Sequence, residues 1–335
     1  MKAIINNKMM NRKLLTGLFI ATGFLFNACQ KDIDVFVPDA GQLNSPDTSW
    51  YSTITPTMPV IAVKNSLSFP TYTDSIQVNN SNAYITTPFG LLVGFPPNCC
   101  TGNAGQTITG TVQVELMLIK KRGDMIRMNK TTTSNGRLLV SGGEIFVSLK
   151  KEGVAVQLKQ GVRIQIRQVE TAPNTLMRFF AGDESNAERF NWLPVTDTSN
   201  TLVIGTQGYE IMTNHLRWIN CDHFFDTTGT SQITVTADLA SYFTNANTIA
   251  YTVFKDLRSV VGMYGDPATR KFATGRVPAG KAVTVVVISK QGNDYFLGYE
   301  NTTTASPTSG ILVQHVTVKP VLKSLPDILN FLNTL

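Results

Sequence analysis

Over residues 110–118 the chain reads Gly-Thr-Val-Gln-Val-Glu-Leu-Met-Leu, and every second side chain, Val112, Val114, Leu116 and Leu118, is apolar. A period of two places those four on one face of an extended strand and is incompatible with a helical stripe, whose period is about 3.6. Short extended segments recur at 91–95, 143–149, 154–158 and 162–167, with Gly136, the Gly142-Gly143 pair, Gly153 and Gly161 among them. Glycine supplies turn conformations closed to other residues, so the spacing is that of strands joined by tight turns. Strong helical periodicity is absent here, which argues against doubly wound and helical-bundle folds and predicts a β-sandwich.

Strand patterns resume at 202–205, 216–222, 232–237, 248–254, 282–289 and 311–318. In 282–289, Val283, Val285 and Val287 alternate with Thr284, Val286 and Ile288, so that strand is apolar on both faces except at Thr284. Residues 275–280, with Pro278, predict the turn before it. The polar run 196–201 sets a boundary near residue 200, and the later strands predict a second sandwich of immunoglobulin-like style. Only the end reads as a helix. Ser324 is placed to cap it, Asp327 stands three residues on, and Leu325, Ile328, Leu329 and Leu332 share one face.

The N-terminus carries an address. Lys2, Lys8, Arg12 and Lys13 are the only charges before Cys29, and residues 14–26 are almost wholly apolar. That is the charged and hydrophobic sequence of a signal peptide, and its apolar run is well short of the roughly 20 residues of a spanning helix. The segment ends Leu25-Phe26-Asn27-Ala28-Cys29, which resembles a lipobox, so Cys29 is expected to be lipidated and to become the mature N-terminus. Phe26 and Asn27 depart from the commonest form of that motif. Gln30-Lys31-Asp32-Ile33-Asp34 resembles the short export signal that sends lipoproteins of Gram-negative bacteria to the cell surface, with Ile33 interrupting its acidic pair. The expected location is the outer membrane, lipid-anchored, with the cell surface and the periplasm both open as the side it faces, since residues 30–34 read equally as the solvated start of a tether.

Removing residues 1–28 takes four of 29 basic residues and none of the 23 acidic ones, so the mature net charge is 25 minus 23, or +2. The sequence pI near 9.1 is therefore partly a property of the signal, and no electrostatic case remains for nucleic acid. Residues 31–65 hold Pro38, Pro46, Pro56 and Pro59 among Asp, Ser and Thr and read as a tether. Trp50 and Tyr51 interrupt it; two adjacent aromatics in a polar stretch either dock on the domain behind or form an exposed platform. The expected layout is signal peptide 1–28, lipidated N-terminus and tether 29–65, first sandwich 66–199, second sandwich 200–319 and C-terminal helix 320–335.

With Cys29 lipidated, Cys99, Cys100 and Cys221 remain, an odd set in an oxidising compartment. Adjacent cysteines close a ring on each other with difficulty, so the candidates are a bridge from Cys99 or Cys100 to Cys221, or small buried thiols. Cys221-Asp222-His223 lacks the spacing of a metal site, and no metal or cofactor is expected.

Residues 90–96 (Gly-Leu-Leu-Val-Gly-Phe-Pro), 106–112 (Gln-Thr-Ile-Thr-Gly-Thr-Val), 136–140 and Ser141-Gly142-Gly143-Glu144-Ile145 together resemble the Zu-five β-sandwich over roughly residues 66–195. The resemblance implies a fold that mediates protein association. Some members carry a self-cleaving His-Phe-Ser triplet; here the nearest is His223-Phe224-Phe225, outside the matched stretch, and Phe225 has no nucleophile.

Motifs of nucleophilic hydrolases, zinc peptidases and phosphate loops are absent. A glycosidase needs only two carboxylates, for which Glu115, Glu144, Asp183, Glu184, Asp222 and Asp226 are the candidates. The expected function is a non-catalytic protein-interaction or assembly module of the cell envelope, with another envelope protein as partner. The first alternative is a carbohydrate-binding surface protein that stacks sugars on Trp50, Tyr51 or Trp192; the second is a glycan-acting hydrolase with a carboxylate pair.

Overall fold

The structure, a computed structural model, describes residues 47–186, 188–306 and 312–335. The signal peptide, the export segment and the Cys29 lipidation site lie outside the described residues. Thr48–Leu335 forms one compact unit, built mainly of strands in three principal sheets with three short helices.

The first sheet follows the order Tyr72–Val78, Gly110–Ile119, Arg137–Lys151, Arg217–Phe224, Arg178–Asp183, Asn191–Pro194. The second runs Thr201–Gly205, Gly208–Thr213, Ile164–Val169, Leu91–Phe95, Ala83–Thr86. All of these pairs are antiparallel. Val112, Val114, Leu116 and Leu118 all pack on the core between these two sheets, with Val93, Ile145, Val147, Ile166 and Ile211. The other side of Gly110–Ile119 presents Met117 and Ile119 to a second core, so the strand is buried on both faces at its end.

The third sheet follows Leu312–Thr317, Gln232–Asp238, Lys271–Pro278, Val260–Asp266, Thr248–Phe254, Ala282–Gln291, Asp294–Thr303, Val321–Lys323. Its first pair is parallel. Val260–Asp266 pairs with one neighbour through Val260–Met263 and with the other through Tyr264–Asp266, so the sheet folds over at that strand. The third core fills the fold: Ile233, Val235 and Val277 meet Ala250, Val283, Val285 and Val287. Ile249, Tyr251, Val286 and Ile288 point the opposite way, into the second core. The two apolar faces read from 282–289 are thus each claimed by a different core.

Two sequence expectations need correction. The boundary near residue 200 moves, because Thr201–Gly205, Gly208–Thr213 and Arg217–Phe224 all pair with strands of the first sandwich. The polar run is a tight turn, in which the Asp197 carboxylate accepts bonds from Ser199 N, Ser199 Oγ and Asn200 Nδ2. The chain therefore reverses into the same sandwich and leaves it only after Phe224. The two sandwiches also share the second core and exchange backbone bonds, Thr132 N to Val260 O and Ser141 N to Arg258 O.

The second correction concerns 29–65 as an unbroken tether. Pro59–Leu67 is a helix, and Pro59 opens it, where a missing N–H costs nothing. Val60, Val63 and Leu67 are buried in the second core. Burying each contributes roughly 1.5–3 kcal/mol, which stabilises a helix too short to persist alone. A second helix, Arg122–Arg127, lies beside the C-terminal helix Leu325–Asn333, and Arg122 donates to the carbonyls of Phe254, Lys255 and Leu335. The Ser324 hydroxyl accepts from Asp327 N, and Ile328 and Leu332 are buried.

Candidate interaction face

The outer face of the second sheet is set by its register. Directly opposed residues of antiparallel strands share a face, so Thr86, Leu92, Arg167, Glu210 and Val203 form one row and Tyr84, Gly94, Gln165, Met212 and Thr201 the next. Their inward neighbours Val93, Ile166 and Ile211 are fully buried. Outward, Tyr84, Val169 and Val203 are 60%, 58% and 59% exposed, an unusual degree for apolar side chains gathered on one sheet.

Glu210 organises the middle of this face. Its two carboxylate oxygens accept from Gln165 Nε2 at 2.5 Å and Arg167 Nε at 3.2 Å. The Tyr84 ring lies over Gly94, 3.0 Å from where a Cβ would stand, so a side chain there would displace the ring by a few tenths of an ångström. At the other end a groove of about 520 Å³ runs between Leu92, Val169 and Val203. Gly208 is required beside it: its φ is +139°, and a Cβ would meet the Gln168 carbonyl. The edge strand Thr201–Gly205 pairs with Gly208–Thr213 alone among the described residues. It carries no Lys, Asp, Glu or Pro, the residues that commonly guard a free edge. The edge of the third sheet at Val321–Lys323 also exposes Val321 and Leu322, but Lys319, Pro320 and Lys323 bracket it.

The aromatic residues considered for sugar stacking separate. Trp192 is fully buried in the second core, edge-on to Phe190 at 4.8 Å, so it is not a stacking platform; its strand ends the first sheet, but the ring points into the core shared with the second sandwich. Trp50 packs on Phe272 with centroids 5.1 Å apart and planes tilted by 52°. Tyr51 is tied to Asn245 by two bonds, N to Oδ1 and Nδ2 to O. Trp50 also walls a cleft of about 460 Å³ with Asp238, Arg270 and Lys271.

Cys99, Cys100 and Cys221 are free, buried thiols in the first core, and no bridge joins Cys221 to either of the others. The Cys99 and Cys100 sulfurs sit 3.4 Å apart as a hydrogen bond. That bond lowers the Cys99 pKa and raises that of Cys100, while burial, followed by the Asp222 charge, raises Cys221.

The six acids divide by surroundings. Glu115 pairs with Lys150 at 2.6 Å and Glu184 with Arg217 at 3.0 Å. Asp183 and Asp226 close turns through Ser185 N and Thr228 N. Glu144 and Asp222 are fully buried near the middle of the first sheet, where Glu144 opposes Asn220 and Asp222 opposes Ser141 beside a bulge. Among the described residues no donor reaches hydrogen-bond geometry on any of their four oxygens. Burial and then the charge of Asp222 push Glu144 far above its ordinary value, against the pull of Lys130. Burial pushes Asp222 up to about 7, although Ser141, the Gly142 amide, Asn220 and Arg258 oppose it. Both carboxyls are sealed from solvent, which is not the open cleft a glycan hydrolase requires. Among the described residues no cluster of three or more His, Cys, Asp and Glu has the arrangement of a metal site, and no helix is long and apolar enough to cross a membrane.

No protein-family model and no curated protein matches this chain.

Proposed function

We propose that this chain is a lipoprotein anchored through Cys29 to the outer membrane of a Gram-negative bacterium and facing the cell surface. Its first, Zu-five-like sandwich acts there as a non-catalytic protein-interaction module. The observation that carries the reading is the outer face of the second sheet, with Tyr84, Val169 and Val203 exposed around the Gln165–Glu210–Arg167 network and an unguarded edge beside it. Apolar anchors flanking satisfied polar groups are the composition of a protein interface, and a bare edge strand can accept an added strand by backbone bonding. The chain enters the described fold at Trp50 on the third sheet, whose layer is separated from that face by the first sheet.

The test uses full-length protein on intact cells, with chemical cross-linking of the wild type and a Val169→Lys, Val203→Lys double variant. Both side chains are exposed, so the substitutions leave the core intact. A discrete partner band with wild type and its loss in the variant is the expected result. Equal bands, or none with either, would overturn it.

A carbohydrate-binding reading is favoured by one observation, the cleft of about 460 Å³ walled by Trp50 and bordered by Asp238, Arg270 and Lys271. An aromatic wall beside planar polar groups suits a sugar ring. Binding on a glycan array that disappears with Trp50→Ala is its expected signature.

A further inference from the structure

We propose that the junction of the two sandwiches holds a site for a compact oxyanion, a carboxylate or a phosphate, between Arg189 and Arg276. A cleft of about 430 Å³ opens there, within the usual size of small-ligand sites. Its walls come from the Asn135-Gly136 turn, the segment before Asn191–Pro194, and the strands Val260–Asp266 and Lys271–Pro278. It is thus assembled by both sandwiches.

Two arginines line it and no carboxylate does. Neither guanidinium has an ion-pair partner among the described residues. Arg189 is held over the Tyr264 ring at 4.7 Å, an arrangement that steadies a guanidinium while leaving its N–H edge available for a planar anion. The amides opposite add the same polarity. Asn191 Nδ2 donates to Asn135 Oδ1 at 2.9 Å, and Asn191 Oδ1 accepts from Asn135 N at 2.8 Å. Each amide oxygen thus already accepts one bond, while Asn135 Nδ2 and the second Asn191 N–H have no partner among the described residues. Gly275 has nothing within 4 Å of where a Cβ would stand, so that wall stays open. Two guanidiniums with no lining carboxylate select a ligand that carries negative charge and several acceptor atoms.

The site is independent of the docking face, which lies on the outer side of the second sheet. Binding is measured by titration calorimetry on the soluble form lacking the lipid, with inorganic phosphate and glucuronate as separate probes and glucose as the neutral control. Saturable binding of phosphate or glucuronate is expected, with the stronger of the two identifying the source of the oxyanion. Glucose should give none. Arg276→Gln should weaken binding at least tenfold, and Arg276→Lys should recover only part of it because lysine lacks the planar fork. Arg276 is exposed, and an unchanged melting temperature guards against misfolding. Failure of both anions to bind, or equal affinity in wild type and an Arg189→Gln, Arg276→Gln double variant, would overturn the proposal.

Discussion

Replacing Asp222 by asparagine keeps the shape of a fully buried side chain and removes its ability to ionise. The folded state moves this carboxyl from 3.8 to about 7, chiefly because burial penalises the anion. At about 1.36 kcal/mol per pH unit, that difference is worth about 4 kcal/mol. The folded pKa lies above the unfolded one. Below about pH 4 both states hold the proton and nothing is lost. Between about 4 and 7 the unfolded chain releases the proton while the folded chain retains it, so stability falls as pH rises and then levels off. Glu144 is shifted in the same direction and adds to the slope. Asp222→Asn should therefore match the wild type near pH 4 and exceed it near pH 8 by as much as about 4 kcal/mol. Urea unfolding followed by tryptophan fluorescence reads this difference, since Trp192 and Trp218 sit in the second core. A difference between variant and wild type that is the same at both pH values would refute the reasoning, because it would mean that folding leaves the Asp222 pKa unshifted.

Trp192→Ala should cost about 3–5 kcal/mol by the same assay, since a fully buried large ring is removed from the shared core; an unchanged midpoint would place the ring outside that core. Cys99, Cys100 and Cys221 should resist maleimide in the folded protein and all three should react after unfolding without reductant. Fewer than three labelled thiols in the unfolded chain would reveal a bridge.

The strands at 91–95 and 248–254 have the bounds that their sequence pattern suggests, because a short apolar run between turn residues is a local signal. The strand Lys271–Pro278 was masked by Gly275 and Pro278, which imitate a turn; the proline sits at the strand's last position, where its missing N–H is tolerated. Pro59 concealed a helix for the converse reason, since it starts one. The module boundary was illegible because the polar turn at Asp197 looks the same whether the chain goes on to a new domain or doubles back. The outer face of the second sheet is less legible still: Tyr84, Arg167, Val203 and Glu210 come together only through the register of strands spanning residues 83 to 213. Trp192 and Trp50 differ in burial for tertiary reasons that no local pattern records.

Whether the outer face of the second sheet binds a protein is read by placing a photoreactive residue at 169, 203 or 299 of the full-length chain on intact cells. Positions 169 and 203 lie on the face, while Tyr299 is similarly exposed on the third sheet. The same discrete protein adduct from 169 and 203, and none from 299, is the expected result. Absence of an adduct at 169 and 203, or an adduct at 299 alone, would contradict it.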